Sequence, residues 1–166
     1  METNPSEGGL FRLLFVCTGN TCRSPMAEAI ARRRAEELGW TQVEVRSAGV
    51  AAFGGSPASE GALRTARAHG LDLSGHRARL LTEHESRQAD LILTMSPDHL
   101  MRVSSLGGGD RAALITSYAG GHPAGFPATS VPDPIGGPDE EYDETFRLLR
   151  DLIERVLERL GPMLSP

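Results

Sequence analysis

The stretch Leu13-Leu14-Phe15-Val16-Cys17-Thr18-Gly19-Asn20-Thr21-Cys22-Arg23-Ser24-Pro25 decides the fold. Residues 13–16 are a continuous apolar run, which suits a strand buried on both faces, as in a parallel sheet. Residues 18–24 are small and polar with a single glycine, a turn. Pro25 then opens a segment rich in Ala, Glu and Arg over residues 26–38. Proline is favoured in a first helical turn, where its missing N–H costs nothing. Ser24 stands at the expected N-cap, and Gly39 supplies the stop.

Working outward, the pattern repeats. Residues 43–45 lead into Ser47-Ala48-Gly49 as a second strand, and residues 50–57 form a loop that carries Phe53. A helix is expected over residues 59–69, a third strand over 89–94, a helix from near Pro97 and a short fourth strand over 112–115. Residues 119–138 are dense in Gly and Pro and hold no regular element. Tyr142, Phe146, Leu149, Ile153, Val156 and Leu160 recur at three- and four-residue spacing and make one apolar helical stripe. Asp139, Glu140 and Glu141 fall in its first turn, where negative charge suits the helix dipole; Gly161 and Pro162 end it. Alternating strands and helices predict one α/β domain with a parallel sheet. The expected boundaries are a flexible tail over residues 1–9, a domain over 10–162 and a short tail over 163–166.

The chain of 166 residues is long enough for one full core. A net charge of −5 argues against a nucleic-acid partner. The apolar stretch near the N-terminus is short and interrupted by Arg12, so neither a signal peptide nor a membrane span is expected. Two cysteines make no disulfide framework, and a cytoplasmic, monomeric protein is expected. Two cysteines and five scattered histidines (69, 76, 84, 99 and 122) do not compose a zinc site. His76 reads as structural.

The chemistry lies in the turn. In open α/β sheets ligands bind beyond the carboxyl ends of the strands. There the N–H groups of the turn and of the helix start converge on one spot and favour an anion. Arg23 adds a planar fork of donors matched to phosphate oxygens. The same field favours the thiolate of Cys17, which is a strong nucleophile. Six positions separate Cys17 from Arg23, enough for Thr18, Gly19, Asn20, Thr21 and Cys22 to curl round a tetrahedral anion. Ser24 can donate its hydroxyl to the sulfur. Asn20 tolerates a left-handed backbone and can brace the loop. Cys22 is either a small buried loop residue or a reversible disulfide partner that shields Cys17 from over-oxidation.

Residues 17–25 resemble the phosphate-binding loop of the low-molecular-weight protein tyrosine phosphatases, and the likeness extends over nearly the whole chain. Met26-Ala27-Glu28-Ala29 continues the motif. The resemblance implies a three-layer α/β sandwich around a four-stranded parallel sheet of order 2-1-3-4, with helices on both faces. It makes Ser47 the serine that hydrogen-bonds to Asn20, and Asp133, before Pro134, the general acid. It implies a phosphocysteine intermediate, phosphorylated proteins as substrate and no cofactor.

Two positions bear on the substrate. Typical tyrosine phosphatases of this family carry an aliphatic residue where this chain has Thr21, and aromatic residues where it has Ile135-Gly136-Gly137. Thr21 and the two glycines instead resemble the bacterial protein-arginine phosphatases, in which the threonine shapes the pocket for a guanidinium. Ile135 departs from both groups. Phe53 either lines the opposite wall or packs on the core. Phosphoarginine is therefore the expected substrate, with phosphotyrosine as the alternative. The related arsenate reductases need further cysteines downstream, and none follows Cys22. A non-catalytic phosphate-binding module would lack the nucleophile, the arginine or the acid.

Overall fold

The computed structural model describes residues 9–120 and 130–164. Four strands, β1 (Phe11–Cys17), β2 (Val43–Gly49), β3 (Leu91–Thr94) and β4 (Ala112–Leu114), form one parallel sheet in the order β2-β1-β3-β4. The helices are α1 (Arg23–Glu37), α2 (Glu60–Ala68), α3 (Glu83–Gln88), α4 (Pro97–Ser105), α5 (Ile115–Tyr118) and α6 (Asp139–Leu164).

The apolar run of β1 is buried on both faces because its side chains alternate between two cores. Phe11, Leu13, Phe15 and Cys17 join Met26, Ile30, Phe146, Leu149 and Ile153 from α1 and α6. Leu14 and Val16 turn to the other face, with Ala48, Ile92 and Val103 of α4. The three layers follow from this alternation, and β1, central in the sheet, delivers Cys17 to its carboxyl edge.

The predicted stripe of α6 is buried along its length. The helix does not end at Gly161 and Pro162, however; it runs through Pro162 to Leu164. Leu164 extends the four-residue stripe into the core, and Gln42 Nε2 donates to its carbonyl at 2.9 Å. A proline this close to a helix end forfeits one N–H bond, and the buried leucine offsets that loss. The expected tail therefore begins two residues too early. The other predicted tail, residues 1–9, lies outside the described residues except for Gly9.

Ser24 is not the N-cap of α1. Cys22 takes that position, with no side-chain capping bond, and Ser24 lies in the first turn. The loop donors that a capping side chain would satisfy stay available on the inner side of the turn. Residues 83–88 form a helix that apolar periodicity does not reveal, because every one of them is polar or charged. Within the Gly/Pro-rich stretch, residues 121–129 lie outside the described residues. Val131 is buried and donates its N–H to Met95 O at 2.9 Å, which docks the segment before Asp133 beside the end of β3.

Candidate active site

β1 ends in Cys17, and the next five residues loop back into α1. The outer side of this loop is engaged at most of its carbonyls. The carbonyls of Cys17 and Thr18 accept from the N–H groups of Val50 and Ala51 at 3.0 and 2.9 Å, and Thr21 O accepts from Ser59 N at 2.9 Å. His76 Nε2 lies 2.7 Å from Asn20 O, the structural role expected of it. With its carbonyls tied outward, the loop turns its N–H groups to the concave side, and no described residue accepts from those of residues 18–24. This is the geometry of an anion-binding nest at a helix N-terminus.

Asn20 makes the turn possible. Its φ of 55° lies in the left-handed region, which asparagine enters more readily than most residues. Its side chain is locked from three directions: Nδ2 donates to Ser24 Oγ at 2.8 Å and to Ser47 Oγ at 2.9 Å, while Oδ1 accepts from Arg79 N at 2.9 Å. The Ser47 hydroxyl donates in turn to Glu28 Oε1 at 2.5 Å. Gly49 is required by proximity, since a Cβ there would stand 2.5 Å from Thr18 O and 2.8 Å from Asn20 N.

Cys17 and Ser24 meet: Sγ and Oγ are 2.8 Å apart, both buried. Because Asn20 Nδ2 already donates to Ser24 Oγ, the serine proton is free to point at the sulfur. Arg23 is buried, with NH1 donating to Val131 O at 2.9 Å and NH2 reaching Thr18 Oγ1 and Asp133 Oδ2, each at 3.5 Å. The structure thus brings the acid candidate to the arginine of the loop. Asp133 also acts as a turn former: its Oδ1 accepts from Ile135 N at 3.1 Å, and Oδ2 remains for the site. Asp139, the neighbouring carboxylate, is held away by Arg64 at 2.9 Å, which lowers its pKa.

The remaining expected residues sort cleanly. Thr21 is half-buried on the loop, its hydroxyl 3.8 Å from Cys22 Sγ. Gly19 is half-buried. Cys22 is buried, and its sulfur lies 3.2 Å from Ser59 Oγ and 3.5 Å from Tyr142 OH; both cysteines are free thiols. Phe53 is 83% exposed and does not pack on the core, and Ile135 is 58% exposed. Among the described residues no group of three or more His, Cys, Asp and Glu could hold a metal ion.

Sequence reasoning passed over four supporting residues. Glu28 and Arg79 brace Asn20 and Ser47. Tyr142, whose phenol pKa burial raises, sits behind Cys22 against Gly61, where a Cβ would clash with the ring. His99, 3% exposed, places Nε2 2.8 Å from Thr18 Oγ1. Its position in the first turn after the end of β3, on the ligand edge of the sheet, is the signal that would have found it.

A parallel sheet whose central strand ends in a Cys-x5-Arg nest, with an aspartate beside the arginine, defines a thiol-dependent phosphatase. The sequence matches the low molecular weight phosphotyrosine protein phosphatase family over residues 12–164, and the chain belongs to that family. It is 37% identical over 155 residues to a protein-arginine-phosphatase of Bacillus subtilis, a match covering 92% of this chain and 96% of the relative. It is 36% identical over 153 residues to the low molecular weight protein-tyrosine-phosphatase Wzb of Escherichia coli, with 92% and 95% covered. Among solved structures, the YwlE arginine phosphatase carrying a phosphorylated active-site serine superposes with a TM-score of 0.82 at 35% identity, covering 90% of this chain and 95% of that one. The protein is a phosphatase whose relatives divide, at similar identity, between arginine and tyrosine specificity.

Proposed function

We propose that this phosphatase hydrolyses phosphoarginine in proteins. The observation that carries the reading is Thr21, a polar residue on the phosphate-binding loop, together with Ile135-Gly136-Gly137 after the acid, where no aromatic ring is present to stack on a phosphotyrosine. A hydroxyl at the rim suits a planar, donor-rich guanidinium better than it suits a phenyl ring.

The reaction runs in two steps. The Cys17 thiolate attacks phosphorus; the S–P bond forms as the P–N bond breaks. The electron pair leaves with the guanidino nitrogen, which takes a proton from Asp133. The loop N–H groups and Arg23 hold the equatorial oxygens where charge develops. Water then attacks the phosphocysteine, Asp133 takes the water proton, and the S–P electrons return to Cys17, whose sulfur Ser24 steadies through the 2.8 Å contact. The phosphorylated active-site serine of the YwlE mutant supports a phosphoenzyme at this position.

The test is Thr21→Ile, assayed on matched phosphoarginine and phosphotyrosine peptides. The ratio of the two kcat/KM values falls by about tenfold, the usual size of one pocket contact. An unchanged ratio contradicts the role of Thr21.

A further inference from the structure

His99 is a buried imidazole that touches the phosphate-binding loop and has no part in the two steps above. It lies in the first turn of α4, with Nε2 2.8 Å from Thr18 Oγ1 and Nδ1 3.1 Å from Ser96 Oγ. Thr18 Oγ1 is also the atom that Arg23 NH2 approaches at 3.5 Å. We propose that His99 is a positioning residue: its Nε2 accepts the hydrogen bond donated by the Thr18 hydroxyl, so that this oxygen presents lone pairs to Arg23 and sets the plane of the guanidinium that grips the phosphoryl group. The inference rests on Arg23 as the phosphate-holding group.

The hydrogen-bond inventory carries the argument. A guanidinium only donates, so Thr18 Oγ1 must accept from it. The single hydroxyl proton of Thr18 then needs an acceptor, and Nε2 is the one at hand. With Nε2 accepting, the ring carries its proton on Nδ1 and donates it to Ser96 Oγ. A relay Arg23→Thr18→His99→Ser96 results, each link donating to the next. Arg23 is thereby fixed at two ends, NH1 by Val131 O and NH2 by a threonine that cannot rotate away. The relay requires a neutral ring. The charged groups facing it are Arg23, Asp98 on its own helix and Asp133 on the acid loop; burial first and Arg23 second lower its pKa to about 4, against the two carboxylates.

The experiment measures competitive inhibition by inorganic phosphate, which reads the grip on the phosphoryl group whichever substrate is preferred. His99→Ala and Thr18→Val each raise the Ki by about tenfold, the size of one hydrogen bond to a charged group. The double variant is no worse than either single one, and His99→Gln, whose amide reaches the Nε2 position, restores the Ki to within about threefold of wild type. Multiplying single effects, or a glutamine variant as impaired as the alanine one, would overturn the relay. If His99→Ala fails to fold, wild type and His99→Gln decide it. As pH falls from 5 towards 4, where His99 protonates, the wild-type Ki rises relative to that of the glutamine variant. Parallel Ki curves overturn the proposal. Failure of its premise is distinct: Arg23→Ala would then leave phosphate inhibition unchanged.

Discussion

At the residue scale, the site depends on a few atoms whose freedom has been removed. Asn20 holds the loop in a left-handed turn, Ser24 meets the sulfur, and Gly49 lets β2 pass beneath the loop backbone. Gly49→Ala places a methyl group 2.5 Å from Thr18 O, against backbone that cannot yield. Overpacking of this kind costs about 1–3 kcal/mol, so urea unfolding of Gly49→Ala shows a lowered midpoint, and phosphatase activity falls with it. A variant as stable and active as wild type would show that the loop can shift. Cys17 and Arg23 stand out in the sequence because a strand end and a helix start bring them to one turn; Asp133 stands out only through the family resemblance, since an aspartate before proline by itself reads as a turn former. The bracing partners Glu28, Arg79, Tyr142 and His99 were not. They lie 19 to 120 positions from the residues they support, and only the fold makes them neighbours.

At the element scale, the strands and the long helices could be read because burial imposes a period on them. The exceptions are instructive. α3 has no apolar stripe, and its signal is chemical: Thr82 Oγ1 accepts from Glu85 N at 3.1 Å, and a threonine followed three residues later by glutamate is a capping pattern. Thr82→Ala accordingly costs about 1 kcal/mol of stability, measured by urea unfolding; kcat/KM stays unchanged as long as Glu85 of this helix keeps its 2.6 Å contact with Arg79. A larger loss would mean that α3 supports the sheet by more than its cap. The start of α1 departs from expectation for the opposite reason. Its first turn is left without a capping side chain, so the orphan N–H groups of a helix start serve the anion-binding nest. Pro162 predicts a helix end because proline disfavours helix interiors, yet Leu164 draws the chain on for one more half-turn.

At the scale of the whole molecule, the net charge of −5 coexists with a loop whose N–H groups and Arg23 face one spot, so anion binding there would come from local geometry and not from overall charge. Among the described residues no helix is long and apolar enough to cross a membrane. Burial of His99 also leaves a mark on the stability of the entire domain. Its folded-state pKa is depressed to about 4 from an ordinary 6.5. Above pH 6.5 the ring is neutral in both states and contributes nothing to the pH dependence. As pH falls from 6.5 towards 4, the unfolded chain binds a proton that the folded one refuses, so stability declines through that window. His99→Gln removes this component: its unfolding free energy falls less steeply than that of wild type between pH 6.5 and 4, and identical slopes would contradict the assignment. The proposed preference for phosphoarginine belongs to the same scale, since it rests on Thr21, Asp133 and the segment after it acting together. The most direct measurement is kcat/KM of the wild-type protein on matched peptides bearing phosphoarginine or phosphotyrosine at one position. We expect phosphoarginine to be hydrolysed at least about tenfold faster; a faster reaction on phosphotyrosine would contradict the account.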